Sequence, residues 1–132
     1  MEIIPIRVEG DVQAGTNLAD LIISSVGRAR QRLRNKDVLV VAHKIVSKAE
    51  GRIIELSTIK PSARALRIAK RYRKDPRVVE VILRQSRRIV KMERGIIITE
   101  TRHGLVCANA GVDQSNVYGD RATLLPRNPD RS

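Results

Sequence analysis

Lys44 and Lys48, Asp113 and Asn116, and a histidine beside a glycine at His103-Gly104 are the residues of this chain whose types and spacing could carry chemistry. Each stands in a polar segment that directly follows an apolar run, which is where open α/β sheets place their ligands. A lysine at such a point neutralises phosphate oxygens as a compact charge. The plainer reading of His43, Lys44 and Lys48 is a set of surface residues at a helix start. Asp113 is suited to a divalent cation, because magnesium takes one or two protein carboxylates and completes its shell with phosphate and water oxygens. Asn116, three residues on, could bond the same ligand if the loop turns back. Both are also ordinary turn formers. The neighbouring Asn109, Gln114 and Ser115 make this loop a polar cluster beside an apolar hairpin. His103 reads either as a ligand contact or as a turn residue. There is no Walker-type glycine loop, no Gly-x-Ser-x-Gly elbow and no Cys/His set at metal-finger spacing. Spacing alone therefore points to a phosphate or metal site and identifies no catalytic acid, base or nucleophile.

The elements that must position these residues follow from hydropathy. Ile3 to Val8 predicts a first strand, closed by the turn-prone Glu9-Gly10-Asp11. A helix is predicted from Leu18 to Leu33 on the stripe Leu18, Leu21, Ile22, Val26, Ala29 and Leu33, capped by Thr16 or Asn17. Asp37 to Ala42 is a continuous apolar run, the pattern of a strand buried on both faces. Gly51 suits a helix stop, and Arg52 to Leu56 a short strand. Pro61-Ser62 opens a helix to about Arg73. Asp75 caps a second, with Pro76 at its first position, predicted to continue past Ile89 and Val90 to Gly95. Ile96 to Thr101 and Leu105 to Asn109 predict an antiparallel hairpin turned at Arg102-His103-Gly104. The fold class is α+β: a sheet with packed helices and a hairpin near residues 96–109, incomplete at its C-terminal end.

Composition bounds the rest. At 132 residues and 42% apolar the chain has the size and content of one folded domain. No apolar run approaches the ~20 residues that span a bilayer, the N-terminus lacks a signal-peptide pattern, and Cys107 is the only cysteine. Together these lead to an expected cytoplasmic location. The net charge is +12, and between Ser62 and Arg94 twelve basic residues face three acids, a net +9. Such a segment implies an anionic partner. A small basic nucleic-acid-binding protein is the alternative reading, but no recognition module is present and no aromatic platform exists for stacking bases.

The segments running from Val40 through His43, Lys44 and Lys48 to Arg52, the triplet Asp75-Pro76-Arg77, and the stretch from Glu100 through His103-Gly104, Asn109-Ala110-Gly111-Val112-Asp113 to Val117 resemble the coenzyme F-420 glutamyl ligase family. The opening Pro5-Ile6-Arg7 with Gly15 and Leu18 resembles the family's start. The likeness covers the whole chain, in the family's order. It implies an enzyme that uses GTP, with magnesium or manganese and also potassium, to activate the terminal carboxylate of the coenzyme precursor as an acyl phosphate. L-glutamate then attacks to form an amide, and further rounds add γ-linked glutamates. It implies a homodimer. Position by position, Asp113 matches a divalent-metal ligand. Asn116, Lys48, His43 and Lys44 match GTP contacts, as does the loop Glu9-Gly10-Asp11-Val12. His103 and Asn109 fall inside the motif as candidate substrate contacts. Where the family reads Gly, an aliphatic residue and Pro, this chain has Val8-Glu9-Gly10, placing the carboxylates of Glu9 and Asp11 near a triphosphate. Family members are roughly twice this long, so the resemblance implies the N-terminal half of the ligase domain. The other half would supply further metal ligands, and this chain is not expected to turn over alone.

Overall fold

Two helices laid against a three-stranded antiparallel sheet form the centre of the molecule in a computed structural model that describes residues 2–115 and 119–129. In chain order the elements are α1 (Leu18–Arg28), α2 (His43–Ala49), β1 (Ile53–Glu55), α3 (Ala63–Tyr72), α4 (Pro76–Gln85), β2 (Ser86–Glu93), β3 (Ile96–Thr101), β4 (Val106–Ala108) and β5 (Arg121–Thr123). Short 3-10 turns lie at Leu56–Thr58 and Asn109–Gly111. The sheet order is β2-β3-β4, and β1 pairs with β5 in a separate two-stranded ladder. The α+β class is as the sequence predicts.

Local chemistry explains most boundaries. Asn17 caps α1, its Oδ1 accepting the N–H groups of Ala19 and Asp20. The predicted continuation to Leu33 does not occur. Arg30 turns left-handed (φ 54°), and the N–H groups of Arg30 and Gln31 close onto the carbonyls of Gly27 and Val26, a Schellman ending. Ser62 caps α3, and Asp75 with Pro76 starts α4. The backbone N–H of Ser62 donates to Glu80 Oε2 at 3.0 Å. A capping box normally takes that acceptor from the third residue of the same helix, but here it comes from α4. Ser62 and Arg84 hold the Glu80 carboxyl down to about 2, the Ser62 hydroxyl and N–H having the largest effect.

The predicted run of α4 to Gly95 is also overturned. The helix stops at Gln85, the Ser86 hydroxyl donates to the Ile82 carbonyl at 2.6 Å, and the chain continues as β2. Two register shifts, between Ser86 and Arg88 and between Ile89 and Lys91, interrupt the β2–β3 ladder. Each extra residue stretches the inward spacing from two to three, so Ser86, Ile89 and Met92 turn inward and imitate a helical stripe. The hairpin β3–β4 is as predicted, with Ile98 opposite Ala108 and Glu100 opposite Val106.

Leu56, Ala65, Val79, Ile82, Ile97 and Ala122 are fully buried and knit the 56–58 turn, α3, α4, β3 and β5 into one core. Each such large aliphatic side chain contributes about 1.5–3 kcal/mol. Neither of the two remaining predicted strands forms. Residues 3–8 and 38–41 make no backbone hydrogen bond among the described residues, and Val38 and Val40 are 86% and 88% exposed. An apolar run becomes a strand only where its backbone groups are paired in a ladder, and among the described residues neither segment is so paired.

Candidate phosphate and metal site

Lys44 and Lys48 lie one turn apart on α2 and so share a face of that helix. Two loops converge on this face. The first is 9–16, which is tied to the end of α2 by the Gly15 N–H donating to the Ala49 carbonyl at 2.7 Å and by the burial of Val12. This sets Asp11 over Lys48, with Nζ 2.6 Å from Oδ1. Lys48 is buried, at 7% exposure, and its ammonium keeps the Asp11 carboxyl below the usual carboxylate range. The acidic loop that looked ill-suited to a triphosphate therefore has a resting use as the counter-charge of a buried lysine. Glu9 and Gly10 are exposed at its turn, with Gly10 at φ 79°.

The second loop follows the hairpin. Asn109, Ala110 and Gly111 all adopt left-handed conformations (φ 52°, 53° and 70°). Asp113 then pairs with Thr123 of β5, N–H to carbonyl in both directions at 3.0 and 2.7 Å. The Asp113 side chain accepts from the Ser115 N–H and hydroxyl, both at 2.8 Å, and lies 2.5 Å from Lys44 Nζ. Lys44 donates in turn to the Ser115 hydroxyl at 2.6 Å and carbonyl at 3.1 Å. Burial raises the Asp113 carboxyl, but Lys44 and the two Ser115 donors outweigh it, and the net direction is down. Asp113 is thus ionised at neutral pH.

The structure brings together Asp11, Lys48, Lys44 and Asp113 from the predicted set, with Val12 as a buried anchor. Asn116 lies outside the described residues. His43 begins α2 and its exposed side chain lines an apolar cavity of about 460 Å³ with Leu39, Val41 and Pro126. Asn109 accepts from the Ile97 N–H at 3.4 Å, tying the loop to β3. His103 is exposed at the β3–β4 turn, at the opposite end of the hairpin from Asn109, and does not join the cluster. Ser115, named in the sequence only as part of the polar cluster, is the further side chain that bonds both Lys44 and Asp113. Its position two after an Asp, the spacing of an Asx-type turn, was the available signal. Cys107 is half-buried in β4, and burial pushes its thiol up, away from nucleophile chemistry.

Asp113 fits a divalent cation as one hard carboxylate ligand. Among the described residues no group of three or more His, Cys, Asp or Glu could hold a metal ion alone. The rest of a coordination shell would have to come from phosphate, water or other protein groups.

The chain as a whole is similar to proteins of one named family. The sequence profile of the family described as F420-0:Gamma-glutamyl ligase matches residues 6–132. A protein of Methanothermobacter thermautotrophicus named Coenzyme F420:L-glutamate ligase is 53% identical over 129 residues, which cover 96% of this chain and 51% of that protein. Proteins of the same name from Methanopyrus kandleri and Archaeoglobus fulgidus are 49% and 37% identical over 132 residues, all of this chain and 50% and 51% of theirs. The chain spans about half the length of the curated relatives it matches. It belongs to the F420-0:Gamma-glutamyl ligase family.

Proposed function

We propose that this chain supplies the phosphate-handling part of a GTP-dependent ligase that joins L-glutamate to the coenzyme F-420 precursor. The reading rests on one observation: two lysines on one face of α2, each held at 2.5–2.6 Å by a carboxylate from a different loop, in a chain of this family. The relatives' shared name, Coenzyme F420:L-glutamate ligase, supports the substrate pair.

The resting ion pairs keep the cations ordered and the carboxylates ionised before any ligand arrives. Binding of GTP exchanges partners. Lys44 and Lys48 leave Asp113 and Asp11 for phosphate oxygens, and Asp113 is released to hold magnesium or manganese. The cation, when bound, offsets charge on the β- and γ-phosphates. In the reaction, a carboxylate oxygen of the precursor attacks the γ-phosphorus and GDP departs, giving an acyl phosphate. The glutamate amine then attacks the acyl carbon. Inorganic phosphate leaves, a proton is lost from nitrogen, and an amide remains. Lys44 and Lys48 stabilise the oxygens that gain charge in the first step, a contribution of preorganised electrostatics. Asn116 and His43 complete the nucleotide contacts in this reading. Repeated rounds give γ-glutamyl links, and the working unit is a cytoplasmic homodimer that uses potassium as a further cation.

The test is phosphate release from GTP by an assembly containing both this chain and the remaining half of the family's length. Release should require L-glutamate and the F-420 precursor, and Lys44→Ala should slow it about 100-fold or more. Release that ignores glutamate, or is unaffected by Lys44→Ala, would contradict the proposal.

A further inference from the structure

Among the described residues, the segments 3–8 and 37–42 hold seven exposed large hydrophobic side chains. Ile3, Val38 and Val40 are 80%, 86% and 88% exposed, and Leu39 is 52% exposed. Two hollows are lined in part by the 37–42 segment, the smaller also by the polar Glu2, Gln31, Arg32 and Asp37. One, of about 170 Å³, includes Ile4, Ile6, Val26 and Val38, and the other, of about 460 Å³, includes Leu18, Ile22 and Val41. Leu39 lines both. A solvent-facing patch this continuous marks an interaction surface. The 38–42 segment makes no ladder among the described residues, and its sequence, Val-Leu-Val-Val-Ala, holds none of the lysines or prolines with which natural edge strands resist pairing, whereas 3–8 carries Pro5 and Arg7.

We propose that residues 3–8 and 37–42 are two strands of a sheet completed by the half of the family's length that this chain does not span. Three observations select that occupant over a second copy. The curated relatives carry about as much chain again beyond the matched region. Alternate residues of 38–41 are exposed on both faces, so covering them takes layers on both sides as well as an edge partner, whereas a two-fold copy presents one patch. Finally, the 37–42 segment runs straight into His43 and Lys44, so ordering it also fixes the start of the lysine-bearing helix. The inference concerns assembly and stands apart from the nucleotide chemistry proposed above.

The experiment co-expresses this chain with the part of the Methanothermobacter relative outside the match, and separately joins the two in one polypeptide. The expected result is a 1:1 complex by mass, weakened about tenfold or more by Val38→Lys with Val40→Lys. Leu66→Lys, at a half-exposed position on α3 away from the patch, should leave it unchanged. In the joined polypeptide the amides of 38–41, fast-exchanging in this chain alone, should slow by about 100-fold or more. Unprotected 38–41 amides in the soluble joined polypeptide would overturn the proposal, as would equal weakening by Leu66→Lys. A particle of two copies of this chain with those amides already protected would assign the face to self-association instead.

Discussion

Lys48 is a buried cation whose only ion-pair partner among the described residues, Asp11, has a side chain 45% exposed. Water screens such a pair, so its contribution to folding is small, and its burial is better explained by use than by stability. Lys48→Met keeps the volume and removes the charge, leaving Asp11 free to solvate. It should change unfolding free energy by less than about 1 kcal/mol in a urea titration while weakening GTP binding about tenfold or more. A larger loss of stability would make Lys48 a structural residue. At this scale most members of the charged cluster were legible, their pairing less so. Lys44, Lys48 and Asp113 announce themselves by following apolar runs. Ser115 did not, because a hydroxyl in a polar loop carries no periodic signal. The pairing of Asp11 with Lys48 depends on a loop closure spanning 37 residues, which no local pattern encodes.

At the scale of elements, α3 and α4 are coupled through Glu80. Its carboxyl titrates at about 2 in the folded chain against an ordinary 4.5, so its stabilisation is complete above about pH 4.5 and is lost as pH falls toward 2. Glu80→Gln should cost about 1–2 kcal/mol at pH 7, with the gap to the parent closing across that acid window. A gap independent of pH would remove the charged bonds to Ser62 and Arg84 as the cause. The loop carrying Asp113 has its own constraint. At Gly111 a methyl group would meet the Leu125 side chain in a backbone conformation (φ 70°) that favours glycine. Gly111→Ala should destabilise the chain by about 1 kcal/mol or more and reduce metal-dependent binding along with it. Normal melting with intact binding would show that the loop has room to relax. The helix starts at Ser62 and Asp75 and the turn at Gly104 were readable because caps and turns are local chemistry. The strand at 86–93 was not, because its two bulges give it a helical spacing. The segment 37–42 has a strand's composition without a strand's partner, and composition alone cannot say where that partner lies.

At the scale of the molecule, the net charge of +12 divides into two populations. Arg77, Arg84, Arg87, Arg88 and Lys91 are committed to Asp75, Asp120, Glu80, Glu100 and Glu93. Arg77 joins the start of α4 to the approach to β5, so the Asp75-Pro76-Arg77 triplet has a structural use. Five of the twelve basic residues between Ser62 and Arg94 are thus paired internally. No described helix is long and apolar enough to cross a membrane. The anion proposed for this chain is a nucleoside triphosphate at α2. The most direct test is a calorimetric titration of the chain and its Asp113→Ala variant with GTP, with and without magnesium. Saturable binding that requires magnesium and is lost in the variant is the expected result. Binding that is indifferent to magnesium and equal in the two proteins would contradict it.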